Sequence, residues 1–333
     1  MHGVITTIQQ PTASVKSFAS AIGKEGGEFI IMGDRKGPDV YDIPNTRLIP
    51  LSEQSESGFA LANNLPTDHY VRKNLGYLTA MKEGADCIFE TDDDNAPKEG
   101  WAMRSSDASV QKVTPRPWCN VFKLFTNEHI WPRGFPLEHI TDLSTHEHNE
   151  SAKEEIVHAP IQQGIVDNNP DVDALWRLVY NHPLNFEDKP SVMLPPETWC
   201  PFNSQCTWWW PEAYPLMYLP SYCTFRMTDI WRSFIAQRCL WAMGYGMVFH
   251  ASEVVQERNV HNLIKDFQDE IPGYTGNLRI TEILQNLSLE EGNEHTGENL
   301  RKCYEALIEN EFFQEKELYL ADAWLSDIRN CFC

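Results

Sequence analysis

Over its first 100 residues the chain alternates between two hydrophobic periods. "HGVITTI" (2–8) and "EFIIM" (28–32) are short, β-rich apolar runs that predict strands. Between them Val15, Phe18, Ala19 and Ile22 recur at i, i+3, i+4 and i+7, one face of a helix. "RLIPL" (47–51) predicts a third strand. "PTDHYVRKNLGYLTAMKEGA" opens on the cap-type residues Thr67 and Asp68, places Val71, Leu75 and Leu78 on one face, and leads into "DCIFE" (86–90). Strand, helix, strand, strand, helix, strand is the order of a parallel, doubly wound α/β sheet. Ligands of such sheets bind beyond the carboxyl ends of the strands, so the loops beginning at Thr6, Gly33 and Thr91 belong to one rim.

From about 115 to 225 the chain is rich in Pro and Trp ("PRPWCN", "PPETWCPF", "TWWWPEAYPLMYLP"), and periodicity gives little guidance. Helices return from 228. Val260, Leu263, Ile264 and Phe267 form one helical set; Ile280, Ile283, Leu284 and Leu287 form another. A helical C-terminal segment is expected after Pro272-Gly273. No internal repeat is present.

Composition narrows the class. Hydrophobic residues at 42% and charged residues at 23% of 333 match a folded protein with a sizeable core. The net charge of -21 argues against a nucleic-acid partner, because phosphate backbones are held by clustered Lys and Arg. It also disfavours an anionic membrane surface. The start "MHGVITTIQQ" has neither a basic n-region nor a long apolar h-region, and no window reaches the ~18 apolar residues of a membrane span. Nine cysteines without CxxC spacing do not form a disulfide framework, so a reducing cytosol is expected. Self-association into a homo-oligomer is left open by these numbers.

The most acidic stretch lies at one of the strand ends. "DCIFETDDDNAP" (86–97) runs from an apolar pulse straight into Asp92, Asp93 and Asp94. Carboxylates at the end of a buried strand are costly unless a cation neutralises them. All-oxygen ligands suit a hard divalent ion, Mg²⁺ or Mn²⁺, which keeps waters and takes substrate phosphates as further ligands. A metal joining such a loop to a diphosphate stabilises a departing nucleoside diphosphate. The plainer alternative is a solvated acidic turn. A calcium EF-hand loop is not indicated, since its Gly and distal Glu are absent.

"VRKNLGYLTAM" followed by "GADCIFETDDDN" resembles the stretch before and through the DxD motif of GT-A glycosyltransferases. "TTIQQPT" (6–12), "IMGDRKGP" (31–38), "ETDDDN" (90–95), "QQGIVDNNPDVDALWRL" (162–178) and "RMTDIWRSFIAQRCLW" (226–241) resemble, in this order, the STELLO-like glycosyltransferase family. The likeness covers about residues 4 to 270. That family is similar to the reversibly glycosylated polypeptides, UDP-sugar mutases with a TxDDD-type motif. The resemblance implies an α/β fold with a GT-A-like, Rossmann-type mixed sheet flanked by helices. Residues 1–140 would be its nucleotide-sugar-binding half, 141–272 its sugar- and acceptor-binding half, and 273–333 a helical C-terminal segment. It further implies Mn²⁺ or Mg²⁺, a UDP-linked sugar donor, and a glycan or other hydroxyl acceptor. Plant STELLO proteins carry a membrane anchor and an extra lumenal region. Neither is expected in these residues, so Golgi residence and a cellulose-synthase partnership are not carried over.

Each candidate residue has a plainer structural alternative. Thr6 and Thr7 open the rim loop where the nucleotide is expected. The resemblance implies that Asp34, in "GDRKGP", meets the nucleobase or ribose and that Lys36 lies close to the pyrophosphate; the alternative is a Gly-Asp turn with solvated charges. Arg72 and Lys73 offer cations to a diphosphate, or are exposed helix charges. Asp92 and Asp94 form the metal-facing pair, with Asp93 turned toward the sugar or ribose. In "DNNPDVDALWRL", Asp171 and Asp173 fit a sugar or acceptor loop and equally the first turn of a helix. Asp229, in "RMTDIWRS", is the candidate base at the start of a helix, with Arg226 and Arg232 holding charge nearby; its alternative is a capping or first-turn acid with Thr228. His250, after "GMVF", is the candidate imidazole ligand of the metal, and His261 competes for that role. "HEHNE" (146–150) reads as a solvated polar loop, and Trp208 to Trp210 as core rather than as sugar-stacking surfaces.

The readings converge on a metal-dependent glycosyltransferase. A mutase that interconverts sugar ring forms on UDP and a catalytically silent GT-A scaffold are the alternatives.

Overall fold

A computed structural model describes residues 1–147, 152–259 and 262–332. Its organising element is one mixed sheet of 11 strands. The N-terminal strands are parallel, as the sequence predicts. β1 (His2–Thr6) lies between β2 (Glu28–Met32) and β4 (Ile88–Thr91), and β3 (Thr46–Ile49) forms the edge beyond β2. All three pairings are parallel. Helix α1 (Ala13–Lys24) crosses from β1 to β2. It starts at Thr12, whose hydroxyl accepts from the Val15 amide, and it buries the predicted stripe Val15, Phe18, Ala19 and Ile22. A short α2 (Leu51–Gln54) follows β3. Then α3 (Lys73–Lys82), preceded by a 3-10 turn at Tyr70–Arg72, returns the chain to β4. Gly76 lets α3 lie close on the sheet, since a Cβ there would sit 2.6 Å from Val4 Cγ1.

Beyond β4 the sheet becomes mixed. The further strands are β5 (Asn95–Pro97), β6 (Asp107–Lys112), β7 (Glu154–His158), β8 (Ile161–Asp167), β9 (Val192–Leu194), β10 (Cys206–Trp209) and β11 (Met247–Gln256). The order is β3-β2-β1-β4-β10-β8-β11-β9-β6-β7, with β5 paired to β11. Strand β10 runs antiparallel to both β4 and β8, and β8 is parallel to β11. Trp208 and Trp209 of β10 are completely buried, so the tryptophan run is core, as expected.

Helices α4 (Ala174–Val179), α5 (Thr228–Ala242), α6 (Leu263–Gln285), α7 (Thr296–Glu309) and α8 (Lys316–Cys331) complete the chain. α5 packs on α6 and α7, and α8 packs on α7 and α3. This helical C-terminal segment and the flanked mixed sheet make an α/β, GT-A-like fold. α6 departs from the sequence reading twice. It runs unbroken through Pro272 and Gly273, where a new segment is expected; its packing on α4 and α5 outweighs the one hydrogen bond that Pro272 cannot donate. Its first apolar set is also not its buried face. Ile264 is 58% exposed, while Asp266 and Glu270 turn inward to meet Arg258 and Arg226. Val260 of that set lies outside the described residues. In the second set Ile280 and Leu284 are fully buried, as expected. Among the described residues no helix is long and apolar enough to cross a membrane, and the eight cysteines are free thiols. Of "HEHNE", residues 148–150 lie outside the described residues.

Candidate active site

The carboxyl ends of β1, β4, β8 and β11 share a rim, and a cleft of about 250 Å³ opens there. One wall is acidic. Asp92, Asp93 and Asp94 follow β4 directly and all line the cleft. Lys73, fully buried at the start of α3, reaches up from beneath. Its Nζ donates to the Thr91 carbonyl and to Asp92 Oδ1, each at 2.8 Å. Of the neighbours Arg72 and Lys73, it is therefore Lys73 that serves the acids. Arg72 points into the protein, donating to Gln54 and to the Leu65 carbonyl.

Asp93 accepts a short hydrogen bond from the Thr7 hydroxyl, and its carbonyl accepts from Thr12. Asp94 accepts from Gln256 Nε2 at 3.1 and 3.2 Å and from the Asn259 amide. Burial pushes all three carboxyls above the ordinary value. Asp92 is raised to about 6, because burial and Asp94 outweigh Lys73, while about a third of its side chain stays open to the cleft. Thr6 lines the cleft and donates to the Met32 carbonyl at 3.0 Å.

Asp229 stands in the first turn of α5 and is tied to Asp171 through a shared cation. Arg133 donates from Nε and Nη2 to Asp171, both at 2.8 Å, and from Nη1 and Nη2 to Asp229 at 2.9 and 2.8 Å. All three side chains are buried and line the cleft. Tyr70 and Asp229 also exchange bonds, the Asp229 amide donating to the Tyr70 hydroxyl at 3.1 Å. Burial raises the Asp229 carboxyl, but the charge and hydrogen bonds of Arg133, with Arg232 and Arg226 behind, bring it below the ordinary value. The remaining wall is basic: Arg177 of α4, Arg226 of the turn before α5, and Arg258 just past β11.

Several expected residues sit elsewhere. Asp34 is buried, with Oδ1 accepting from the Arg35 amide and Oδ2 from the His69 amide, so it ties two loops together and does not line the cleft. Lys36 is exposed, 3.6 Å from Asp68. Asp173, a candidate for the sugar or acceptor loop and for catalysis there, is instead the N-cap of α4, accepting from the Trp176 amide at 2.8 Å and the Trp131 indole at 2.6 Å, and it does not line the cleft. Arg232 lies below the cleft, bidentate to buried Glu90.

His250 is the clearest correction. It lies on β11, six residues before the Gln256 that holds Asp94, and even with a bulge between His250 and Val254 the two are separated by the length of about four β8 residues, roughly 13 Å. Gln162 Nε2 donates to the carbonyls of Ser105, Ser106 and Ala159, so its Oε1 faces the ring at 2.9 Å and assigns the proton to His250 Nε2. Nδ1 then accepts from the Ser191 hydroxyl at 2.6 Å. Neither nitrogen is left to bind an ion. Its competitor His261 lies outside the described residues.

The three aspartates do not converge as a closed cage. Among the described residues the group with ligand atoms within 4.8 Å of one another is His2, Glu28 and Glu83, at the other end of the strands, where Arg47 already pairs with both glutamates. An ion that takes one or two carboxylates and completes its shell with water and phosphate oxygens fits the acidic wall better.

Sequence comparison with known proteins bears on the family. The family model of the STELLO glycosyltransferases matches residues 226–332, from Arg226 through α8. The chain is 25% identical, over 358 aligned positions, to the probable glycosyltransferase STELLO1 of Arabidopsis thaliana, an alignment covering 98% of this chain and 44% of that protein. The chain is STELLO-like. Probable glycosyltransferase STELLO2 of the same plant is also 25% identical, over 347 positions, with 98% and 44% covered. The chain thus spans less than half the length of these curated relatives. The matched family region carries Arg226, Asp229 and Arg258 together with Asp266 and Glu270. The triple aspartate and Arg133 precede it.

No sequence pattern singles out Arg133, Arg177, Arg258, Tyr70 or Gln256. The signal available for Arg133 is indirect: two acids assigned to one site in a chain of net charge -21 require a cation, wherever it lies in sequence.

Proposed function

We propose that the cleft is the donor site of a metal-dependent glycosyltransferase, which moves a hexosyl or pentosyl group from a UDP-linked sugar to an acceptor hydroxyl. The acidic wall carries this reading: three consecutive carboxyls, all raised, with one buried ammonium beneath them. The STELLO-like sequence and GT-A-like sheet support it. Asp92 and Asp94 would hold Mn²⁺ or Mg²⁺, which when bound neutralises the leaving nucleoside diphosphate. Lys73 fixes Asp92 from below, and Thr7 fixes Asp93 for the ribose or sugar. Asp229 is the base for the acceptor hydroxyl once substrate shares its hold on Arg133.

UDP should raise the melting temperature only with a divalent ion present. Asp92→Asn with Asp94→Asn should remove that increment and leave the protein folded; an unchanged increment would refute the metal site. A donor incubated with acceptors should release nucleoside diphosphate. A changed sugar ring with the nucleotide still attached would mean a mutase.

A further inference from the structure

One cation in the cleft has no described carboxylate in direct contact. Arg177 is only 3% exposed, lines the cleft, and has no carboxylate partner among the described residues. Its Nη1 and Nη2 donate to neutral oxygens, Asn169 Oδ1 at 3.3 Å and the Pro170 carbonyl at 2.7 Å, and its Nε meets no described partner. Burial, with the charges of Arg258 and Arg226, outweighs the opposing pull of Asp171 and Asp266 and brings the Arg177 guanidinium down to about 10. Arg226 and Arg258 each already have a carboxylate, Glu270 and Asp266. A buried cation with neutral partners is costly to keep. A chain with a net charge of -21 nevertheless places no described carboxylate in hydrogen-bonding contact with this one.

We propose that Arg177, with Arg226 and Arg258, seats a second oxyanion, a carboxylate or phosphate borne by the sugar or the acceptor and separate from the donor diphosphate. The three arginines come from α4, the turn before α5 and the end of β11, on the part of the fold beyond β10. The rim loops of β1 and β2 lie on the other side of the aspartates. Guanidinium forks match the two-oxygen edge that a uronate carboxylate and a sugar phosphate share. The sugar in this proposal rests on the glycosyltransferase reading; the anion does not.

The test therefore starts without nucleotide, in chelator. Melting temperature is followed while methyl glucuronide, methyl glucoside or inorganic phosphate is titrated at constant ionic strength. A saturable rise is expected with glucuronide and phosphate and not with glucoside. It should be lost in Arg177→Gln, reduced in Arg258→Gln, and kept in the Asp92→Asn/Asp94→Asn protein. Arg177→Gln removes a buried charge that no described carboxylate contacts and is expected to fold; Arg258, partly exposed, provides the second variant. No saturable rise in the unmodified protein, or an equal rise in both arginine variants, overturns the seat. Donors are then compared with Mn²⁺ present. For a sugar-borne anion, Arg177→Gln should weaken UDP-glucuronate about 10- to 100-fold more than UDP-glucose. A glucuronide rise without donor preference assigns the anion to the acceptor. Equal loss for UDP, UDP-glucose and UDP-glucuronate puts Arg177 on the diphosphate and overturns a second site. An anion rise without any nucleotide binding keeps the seat and removes the nucleotide-sugar reading.

Discussion

Asp229→Asn separates chemistry from structure in the cleft. Asp171 and Asp229 share Arg133 through four bonds of 2.8–2.9 Å, a buried triad of two anions and one cation. Asn keeps the volume and one oxygen for Arg133 but loses the charge. Removing one charge-assisted bond costs about 1.5–3 kcal/mol. Losing the charge adds to that cost, because Arg133, Arg232 and Arg226 together favour the ionised carboxyl over burial. The melting temperature should therefore fall by several degrees with the fold retained. Turnover should fall by about 10²–10⁴-fold, the usual worth of a general base, with little change in donor affinity. The folded carboxyl lies below its ordinary value, so its stabilising effect is present above the unfolded value and is lost only as pH falls through the folded one. Between pH 7 and 5 Asp229 itself should cause no loss of activity. Initial rates of diphosphate release, run beside melting curves over that range, make the measurement. Near-normal turnover in a folded variant would refute the base. Asp229 would then be a structural partner of Arg133, and Asp171 would be the next candidate, since Asp173 caps α4.

Lys73→Met should destabilise the protein by about 3 kcal/mol in urea unfolding, the low end for a broken buried pair because Asp92 is partly open to the cleft. Mn²⁺ should recover part of that loss. Asp92, raised to about 6, must lose its proton to bind an ion, so Mn²⁺ affinity by calorimetry should fall about tenfold from pH 7 to pH 5. The same raised carboxyl makes the metal-free protein gain stability from this group as pH falls through 6, since the folded state then binds the extra proton; a flat affinity over that range would contradict the assignment. His250→Ala should leave the Mn²⁺-dependent UDP increment intact while lowering stability by about 1–3 kcal/mol, because Ser191 and Gln162 lose a buried partner.

The parallel half of the sheet is legible in sequence because each element there has one clear period. α1 alternates at 3.6 and buries the stripe that alternation marks. β10 is not legible in the same way. A central strand covered on both faces shows a continuous apolar run, and "CTWW" carries no mark of its antiparallel insertion between β4 and β8. The first half of α6 misleads for the opposite reason. Its apolar set has helical spacing, yet the surface it meets carries Arg226 and Arg258, so the acids turn inward and Ile264 faces solvent.

The site divides along the same line. Asp92 to Asp94 are legible because a strand end in a parallel sheet fixes both their rim and their crowding. His250 follows an apolar strand too, but sequence does not say how far along a ten-residue strand a side chain lies from the rim, and β11 continues to Gln256. Arg133 meets partners 38 and 96 residues away, a distance over which no local pattern operates. The net charge of -21 does not describe the cleft, because it averages over a surface that the cleft does not share. Inside the cleft Asp92, Asp93 and Asp94 face Arg177, Arg226 and Arg258. A ligand that satisfies both walls needs oxyanions for the arginines and a cation for the aspartates, and a metal-bound diphosphate joined to an anionic sugar supplies both.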